Sequence, residues 1–111
     1  MTAYWIARAR VNNPEEYKKY TDRVPAILAE HGGKVLARGG ASTILEGSDF
    51  FHRFVVIEFP SMRHALACHG SAAYREAASF RRGGAGDVDI VIVEGEGGAA
   101  CIMNSDSGNQ L

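Results

Sequence analysis

The sequence predicts an α+β domain in which a four-stranded antiparallel sheet, in the chain order strand, helix, strand, strand, helical region, strand, carries its helices on one face. Three observations lead there. Phe54-Val55-Val56-Ile57-Glu58-Phe59 and the core Val88, Ile90, Val91, Ile92, Val93 are apolar at consecutive positions and rich in β-branched residues, as strands buried on both faces are. Asn13-Pro14-Glu15-Glu16, Ser61 and Ser71 supply helix starts between the strand-like segments. Gly32-Gly33, Gly70 and Gly83-Gly84 supply the stops.

Residues 2–11 form the first strand. Its odd positions give Ala3, Trp5, Ala7 and Ala9, while its even positions pass from Tyr4 and Ile6 to Arg8 and Arg10, so one face begins apolar and ends charged. A helix follows from Pro14, with Asn13 as N-cap and Glu16 placed to close a capping box. Tyr17, Tyr20, Val24, Ile27, Leu28 and His31 fall at spacings of three and four and make its sheet-facing stripe. Pro25 lacks an N–H and should kink it.

Residues 34–38 read as the second strand, Gly39-Gly40 permits a bulge or sharp bend, and Thr43-Ile44-Leu45 resumes an extended path before the turn Glu46-Gly47-Ser48-Asp49. The third strand runs from about His52 to Phe59. Pro60 ends it, and Ser61 caps a helix over residues 62–69 with the expected inner stripe Met62, Ala65, Leu66 and His69. Ser71 caps a further helix over residues 72–82, with Tyr74, Ala77, Ala78 and Arg81 on one side. Residues 87–94 make the fourth strand. The domain is expected to span residues 1–95, and the Gly-, Ser- and Asn-rich residues 96–111 to form a flexible tail.

Composition bounds the function. At 111 residues the chain is one small domain, burying roughly two thirds of its unfolded surface. Twelve Lys and Arg against thirteen Asp and Glu give a formal charge of -1, so no overall field draws phosphate backbones and no nucleic-acid partner is expected. No apolar run approaches the roughly 20 residues of a membrane helix, so no membrane partner is expected. Cys68 and Cys101 form no CxxC or framework spacing, and Met1 leads straight into strand-like residues without a signal-peptide pattern; a reducing, cytoplasmic setting is the expectation.

Helices on one face leave the other to be covered, and strands three and four have no polar face to offer water. The same face of a second copy is the simplest cover, so a two-fold homodimer is expected.

Several segments together resemble a known family: Tyr4-Trp5-Ile6-Ala7, Gly32-Gly33-Lys34-Val35-Leu36-Ala37-Arg38-Gly39-Gly40, Leu45-Glu46-Gly47, Val55-Val56-Ile57-Glu58-Phe59-Pro60-Ser61, Ser71 with Tyr74, and Val91-Ile92-Val93-Glu94-Gly95. Over roughly residues 2–95 the chain is similar to the uncharacterised domain-of-unknown-function family thirteen-thirty, of the dimeric α+β barrel superfamily. The resemblance implies a ferredoxin-like protomer and a dimer whose sheets form a barrel. It implies no activity, although the wider superfamily includes cofactor-free monooxygenases, lactone isomerases and haem-degrading enzymes. His69 stands where that pattern usually has an aromatic, and Ala72-Ala73 where it has Pro-Glu.

The candidate catalytic residues are Arg38, Glu58 and His69. Arg38 and Glu58 can face each other across adjacent strands, either as a structural ion pair or as a clamp for an anion or carbonyl group. His69, on an apolar stripe, is either a satisfied core residue or a general base. Tyr17, Tyr20 and Tyr74 are core residues by default and pocket-lining phenols as the sharper alternative. Arg53 reads first as a solvated or interface charge and second as a ligand-binding cation. His64 and His69 lie about 140° apart on a helix, and no HxH, HxxxH or CxxH pattern occurs, so no metal is expected. No cofactor is expected either, with haem as the alternative drawn from distant relatives. The expected function is a small homodimer holding a carbonyl- or carboxylate-bearing molecule between sheet and helices, with metal-free acid/base chemistry as its enzymatic form; the alternative is a non-catalytic sensing or structural dimer module.

Overall fold

A computed structural model describes residues 1–96, and the tail expected over residues 96–111 falls outside them except for Glu96. The order is β1 (Ala3–Val11), α1 (Pro14–Thr21), α2 (Val24–Glu30), β2 (Lys34–Arg38), β3 (Arg53–Phe59), α3 (Met62–Gly70), α4 (Ala72–Arg82) and β4 (Gly86–Glu94). The strands form one sheet in the order β2-β3-β1-β4, antiparallel throughout. This is the α+β, ferredoxin-like arrangement.

The helix starts follow from their caps. Asn13 accepts a hydrogen bond from the Glu16 amide, Ser61 from His64 and Ser71 from Tyr74, each replacing a bond the first helical turn cannot make for itself. Glu16 spends its carboxylate on Lys19, 2.8 Å away, so only the asparagine half of the expected capping box is present. Pro25 does more than kink the first helix: with Asp22 and Arg23 before it, the helix divides into α1 and α2, and Pro25 sits in the opening turn of the second. Gly32, at φ +77, then adopts the left-handed conformation that turns the chain into β2.

The register sorts the side chains. Ala3, Trp5, Ala7 and Ala9 of β1 stand level with Phe59, Ile57, Val55 and Arg53 of β3, and with Ile92, Ile90 and Val88 of β4, on the face that the helices cover. Trp5, Phe59, Cys68 and Tyr74 are the largest fully buried side chains of this core. On α3 the buried positions are Ala65 and Cys68, whereas Leu66, expected on the inner stripe, is exposed. Residues 43–45 belong to no strand; residues 39–52 form one irregular connection, which carries Phe50 and Phe51 over to Arg10 and Arg8.

The opposite face carries Tyr4, Ile6, Val56, Val91 and Val93, level with one another across the sheet. The expectation of burial on both sides does not hold for β4 within one chain, because Val91 and Val93 are exposed, while on β3 Phe54 and Val56 are half-buried. Their apolarity is written for a surface that a single chain leaves open to water.

Candidate functional site

The site is built around a row of aromatic rings between sheet and helices. Helical spacing puts Tyr17 and Tyr20 of α1 on the sheet side, with ring centroids 5.5 Å apart and edge to face. Tyr74 enters from α4, its hydroxyl 2.7 Å from that of Tyr20. Trp5 of β1 closes the row, 5.2 Å from Tyr74 and 5.6 Å from His69.

Arg81 lies two helical turns beyond Tyr74 and so returns to the same side of α4. Its Nη2 donates to the Tyr74 hydroxyl at 3.1 Å, and its guanidinium stacks 4.9 Å from the Tyr20 ring centre. Arg81 is only 6% exposed, its Nε has no hydrogen-bond partner, and no carboxylate pairs with it among the described residues. Burial works against its charge, but the oxygens of Tyr74 and Tyr20 more than offset this and keep it protonated. Tyr74 accepts from Arg81 and shares a hydrogen bond with Tyr20 in which either hydroxyl can donate, so Arg81, Tyr74 and Tyr20 form one hydrogen-bonded chain.

On one side of this row is a cavity of about 60 Å³ lined by Trp5, Tyr17, Tyr20, Ile57, Arg38 and Arg53, among others. Among the described residues, the two arginines are its only charged lining groups. Arg53 is half-buried and lies against the Tyr17 hydroxyl. It also lies over Gly39, which sits at φ +62, and a Cβ on that glycine would stand 2.5 Å from Arg53 Nη1. The positive φ favours glycine there, and a side chain would in addition have to push the Arg53 guanidinium aside. Arg38 is exposed and marks the rim. It reaches this face through a register shift between Val35 and Ala37, earlier in the chain than the bulge that Gly39-Gly40 suggested: Val35 pairs with Ile57, Ala37 with Val56 and Arg38 with Val55. Burial raises the Tyr17 hydroxyl pKa against the opposing pull of Arg53 and Arg81, and burial raises that of Tyr20 further. Both phenols are therefore proton donors at neutral pH.

The other side of the row opens to a polar cleft of about 490 Å³ whose lining includes His69, Arg81, Arg82, Val88 and Ile90. Burial, then Arg82 and Arg81, lower the His69 pKa, so its imidazole is neutral at neutral pH.

Of the residues singled out from sequence, the structure brings Arg38, Arg53, Tyr17 and Tyr20 together in the cavity, with Tyr74 directly behind Tyr20. His69 lines the separate cleft. Glu58 joins neither. It pairs in register with Lys34 and Tyr4, not Arg38, and alternation places it on the face away from the helices. The Arg38–Glu58 pair is therefore corrected: the two stand at opposite ends of the β2–β3 ladder and on opposite faces. Arg81 is the residue of the site that the sequence places on a helix stripe without giving it a role. Its signal was present in the stripe Tyr74, Ala77, Ala78, Arg81, where a charge occupies a core position.

Comparison with known proteins assigns the chain to a family. A model described as a domain of unknown function, DUF1330, matches residues 2–96. The chain belongs to the DUF1330 family. No curated protein matches its sequence. Among solved structures, a protein of unknown function from Rhodopseudomonas palustris is similar at 19% identity and TM-score 0.70, covering 87% of this chain and 84% of that one. SnoaB, a cofactor-independent oxygenase from Streptomyces nogalater, is similar at 15% identity and TM-score 0.59, covering 88% and 96%. A dimeric ferredoxin-like protein of unknown function from Jannaschia is similar at 12% identity and TM-score 0.63, covering 86% and 100%. At these identities the likeness carries the fold of this DUF1330 chain and not its chemistry. No helix among the described residues is long and apolar enough to cross a membrane.

Proposed function

We propose that this DUF1330 protein is a homodimeric binding protein for a small carboxylate- or carbonyl-bearing molecule, held in the cavity between sheet and helices. One observation carries the reading: the only charges lining the cavity are two guanidiniums, Arg38 and Arg53, and neither has a carboxylate partner among the described residues. Arg53 is positioned to take an anionic oxygen, the Tyr17 and Tyr20 hydroxyls to donate to a second, and the surrounding Trp5, Val55 and Ile57 to cover a short apolar remainder. The volume of about 60 Å³ suits a ligand of only a handful of non-hydrogen atoms inside the cavity, with anything longer emerging past Arg38.

The cavity lining contains no histidine, aspartate or glutamate, and its phenols hold their protons. This favours binding over proton abstraction. The acid/base roles considered for Glu58 and His69 do not attach to this cavity, because one lies on the opposite face and the other in the separate cleft.

The dimer is supported by the exposed apolar face that includes Ile6, Val91 and Val93, and by the dimeric state of the Jannaschia neighbour. Thermal-shift titration with acetate, pyruvate and lactate tests the cavity: a ligand at one hundred times its Kd adds about 2.7 kcal/mol to the folded state. Arg53→Met should abolish the shift and Arg38→Met should weaken it. A flat response to all three acids, or an undiminished response in Arg53→Met, overturns the reading.

A further inference from the structure

We propose that the cleft between the C-terminal turns of α3 and α4 and the outer edge of β4 is a second site, binding a small oxyanion, a phosphate or carboxylate group, on Arg81 and Arg82 beside His69. It is separated from the cavity by the aromatic row, and it does not depend on the function proposed above.

The first observation is the state of Arg81. A guanidinium has five N–H donors and a charge that is costly to bury unpaired. This one is 94% buried, yet it meets only neutral phenols, donating to Tyr74 through Nη2 and stacking on Tyr20, and leaves Nε unbonded. Structural buried arginines are ordinarily answered by a carboxylate, and none answers this one among the described residues. The cleft is where an answering anion can arrive, since Arg81 is part of its lining.

The second observation is the composition of the wall. Arg82 follows Arg81 directly and is exposed, so a second guanidinium lies on the same rim. The opposite wall is the free edge of the sheet. Hydrogen bonds from Gly95 to Thr2 and from Asn12 to Ala85 fix which β4 residues bond to β1; by alternation the N–H and C=O groups of Val88 and Ile90 point outward, and no strand among the described residues receives them. The guanidiniums on one side, with the outward N–H groups on the other, are the donors an oxyanion needs.

The charges that oppose an anion are engaged elsewhere. Asp87 and Asp89 also border the cleft, but alternation places both side chains on the far face of the sheet. There Asp89 takes Arg8 at 3.0 Å and Asp87 accepts from Asn12 Nδ2 at 3.0 Å. His69, whose ring packs on Tyr74 at 5.2 Å and on Trp5, feels Arg81 and Arg82 as its nearby charges. A bound anion neutralises the field that disfavours imidazolium, so anion binding and protonation of His69 reinforce each other.

The test is an NMR pH titration of the four imidazoles of the full-length protein at constant ionic strength, in chloride, in inorganic phosphate and in acetate. The expected result is a saturable upward move of the His69 midpoint in phosphate or acetate, while His31, His52 and His64 hold still. The anion giving the larger move names the preferred oxyanion. Arg82→Gln, at an exposed position that leaves the core intact, should weaken the apparent affinity about tenfold. The proposal is overturned if His69 does not move in either anion, if all four histidines move together, or if folded Arg82→Gln binds as well as the parent.

Discussion

Tyr74→Phe removes one oxygen from the molecule and disconnects two partners. The hydroxyl accepts from Arg81 at 3.1 Å and shares a 2.7 Å bond with Tyr20. Losing a hydrogen bond to a charged group costs about 1.5–3 kcal/mol and losing a neutral one about 0.5–1.5 kcal/mol. Their sum, about 2–4.5 kcal/mol, is the expected destabilisation, since both partners remain buried and unanswered. Tyr20→Phe leaves the Arg81–Tyr74 bond in place and should cost only the neutral bond, about 0.5–1.5 kcal/mol. At about 4 °C per kcal/mol for a chain of this size, the thermal midpoints should fall by about 8–18 °C and about 2–6 °C respectively. Urea and thermal unfolding followed by Trp5 emission and far-ultraviolet dichroism would measure the free energies and the midpoints. The double variant should cost less than the sum of the singles by about 0.5–1.5 kcal/mol, because the bond between the two phenols is then counted once. Equal costs for the two single variants, or strict additivity in the double, would refute the hydrogen-bonded chain that joins Arg81, Tyr74 and Tyr20.

Gly39→Ala combines a left-handed backbone with a Cβ 2.5 Å from Arg53 Nη1, so it should destabilise by about 1–2 kcal/mol and also weaken carboxylate binding by displacing that guanidinium; urea midpoints and thermal-shift titration read the two effects. His69 binds its proton less readily in the folded chain than in the unfolded one, because of burial and then Arg82 and Arg81. Its contribution to stability is therefore complete above about pH 6.5 and is lost as pH falls from there through the folded-state pKa; His69→Asn should flatten that part of a urea-midpoint profile. Val91 is 58% exposed in the single chain, so Val91→Lys should leave protomer stability within about 0.5 kcal/mol while converting the proposed dimer to monomer in sedimentation at micromolar concentration. Burial raises the Cys68 thiol pKa to about 11, so in a Cys101→Ser background aromatic disulfides should label it only as fast as the protein unfolds.

What the chain disclosed of its fold rested on strong local signals. Asn13, Ser61 and Ser71 were legible as caps because a short oxygen-bearing side chain before an amphipathic run has few other uses, and all three accept the expected bonds. The strand runs were equally clear, and their lack of a polar face showed itself as exposed valines and isoleucine on one side of the sheet. The site was harder to read, because it depends on register. Nothing local announces that Glu58 stands opposite Lys34, or that Leu36 lies at a shift in the β2–β3 ladder, since pairing is decided by the whole sheet. Arg81 was hidden for another reason: its position was visible on the buried stripe of α4, but that its guanidinium would meet phenols and, among the described residues, no carboxylate depended on α1 folding over it.

That shift in β2 has one further consequence. Val35 faces the helices, and strict alternation from it would bring Ala37 inward and turn Arg38 toward the opposite side. The extra residue reverses the order and delivers a positive charge to the mouth of an otherwise greasy hollow. Register at an edge strand, rather than residue type, thus decides whether the entrance is cationic. Pairing Leu36 in regular alternation would turn Arg38 to the sheet's other surface without changing any ionisable group, whereas deleting Leu36 would leave Ala37 opposite Val56 and Arg38 opposite Val55, with the charge still at the mouth.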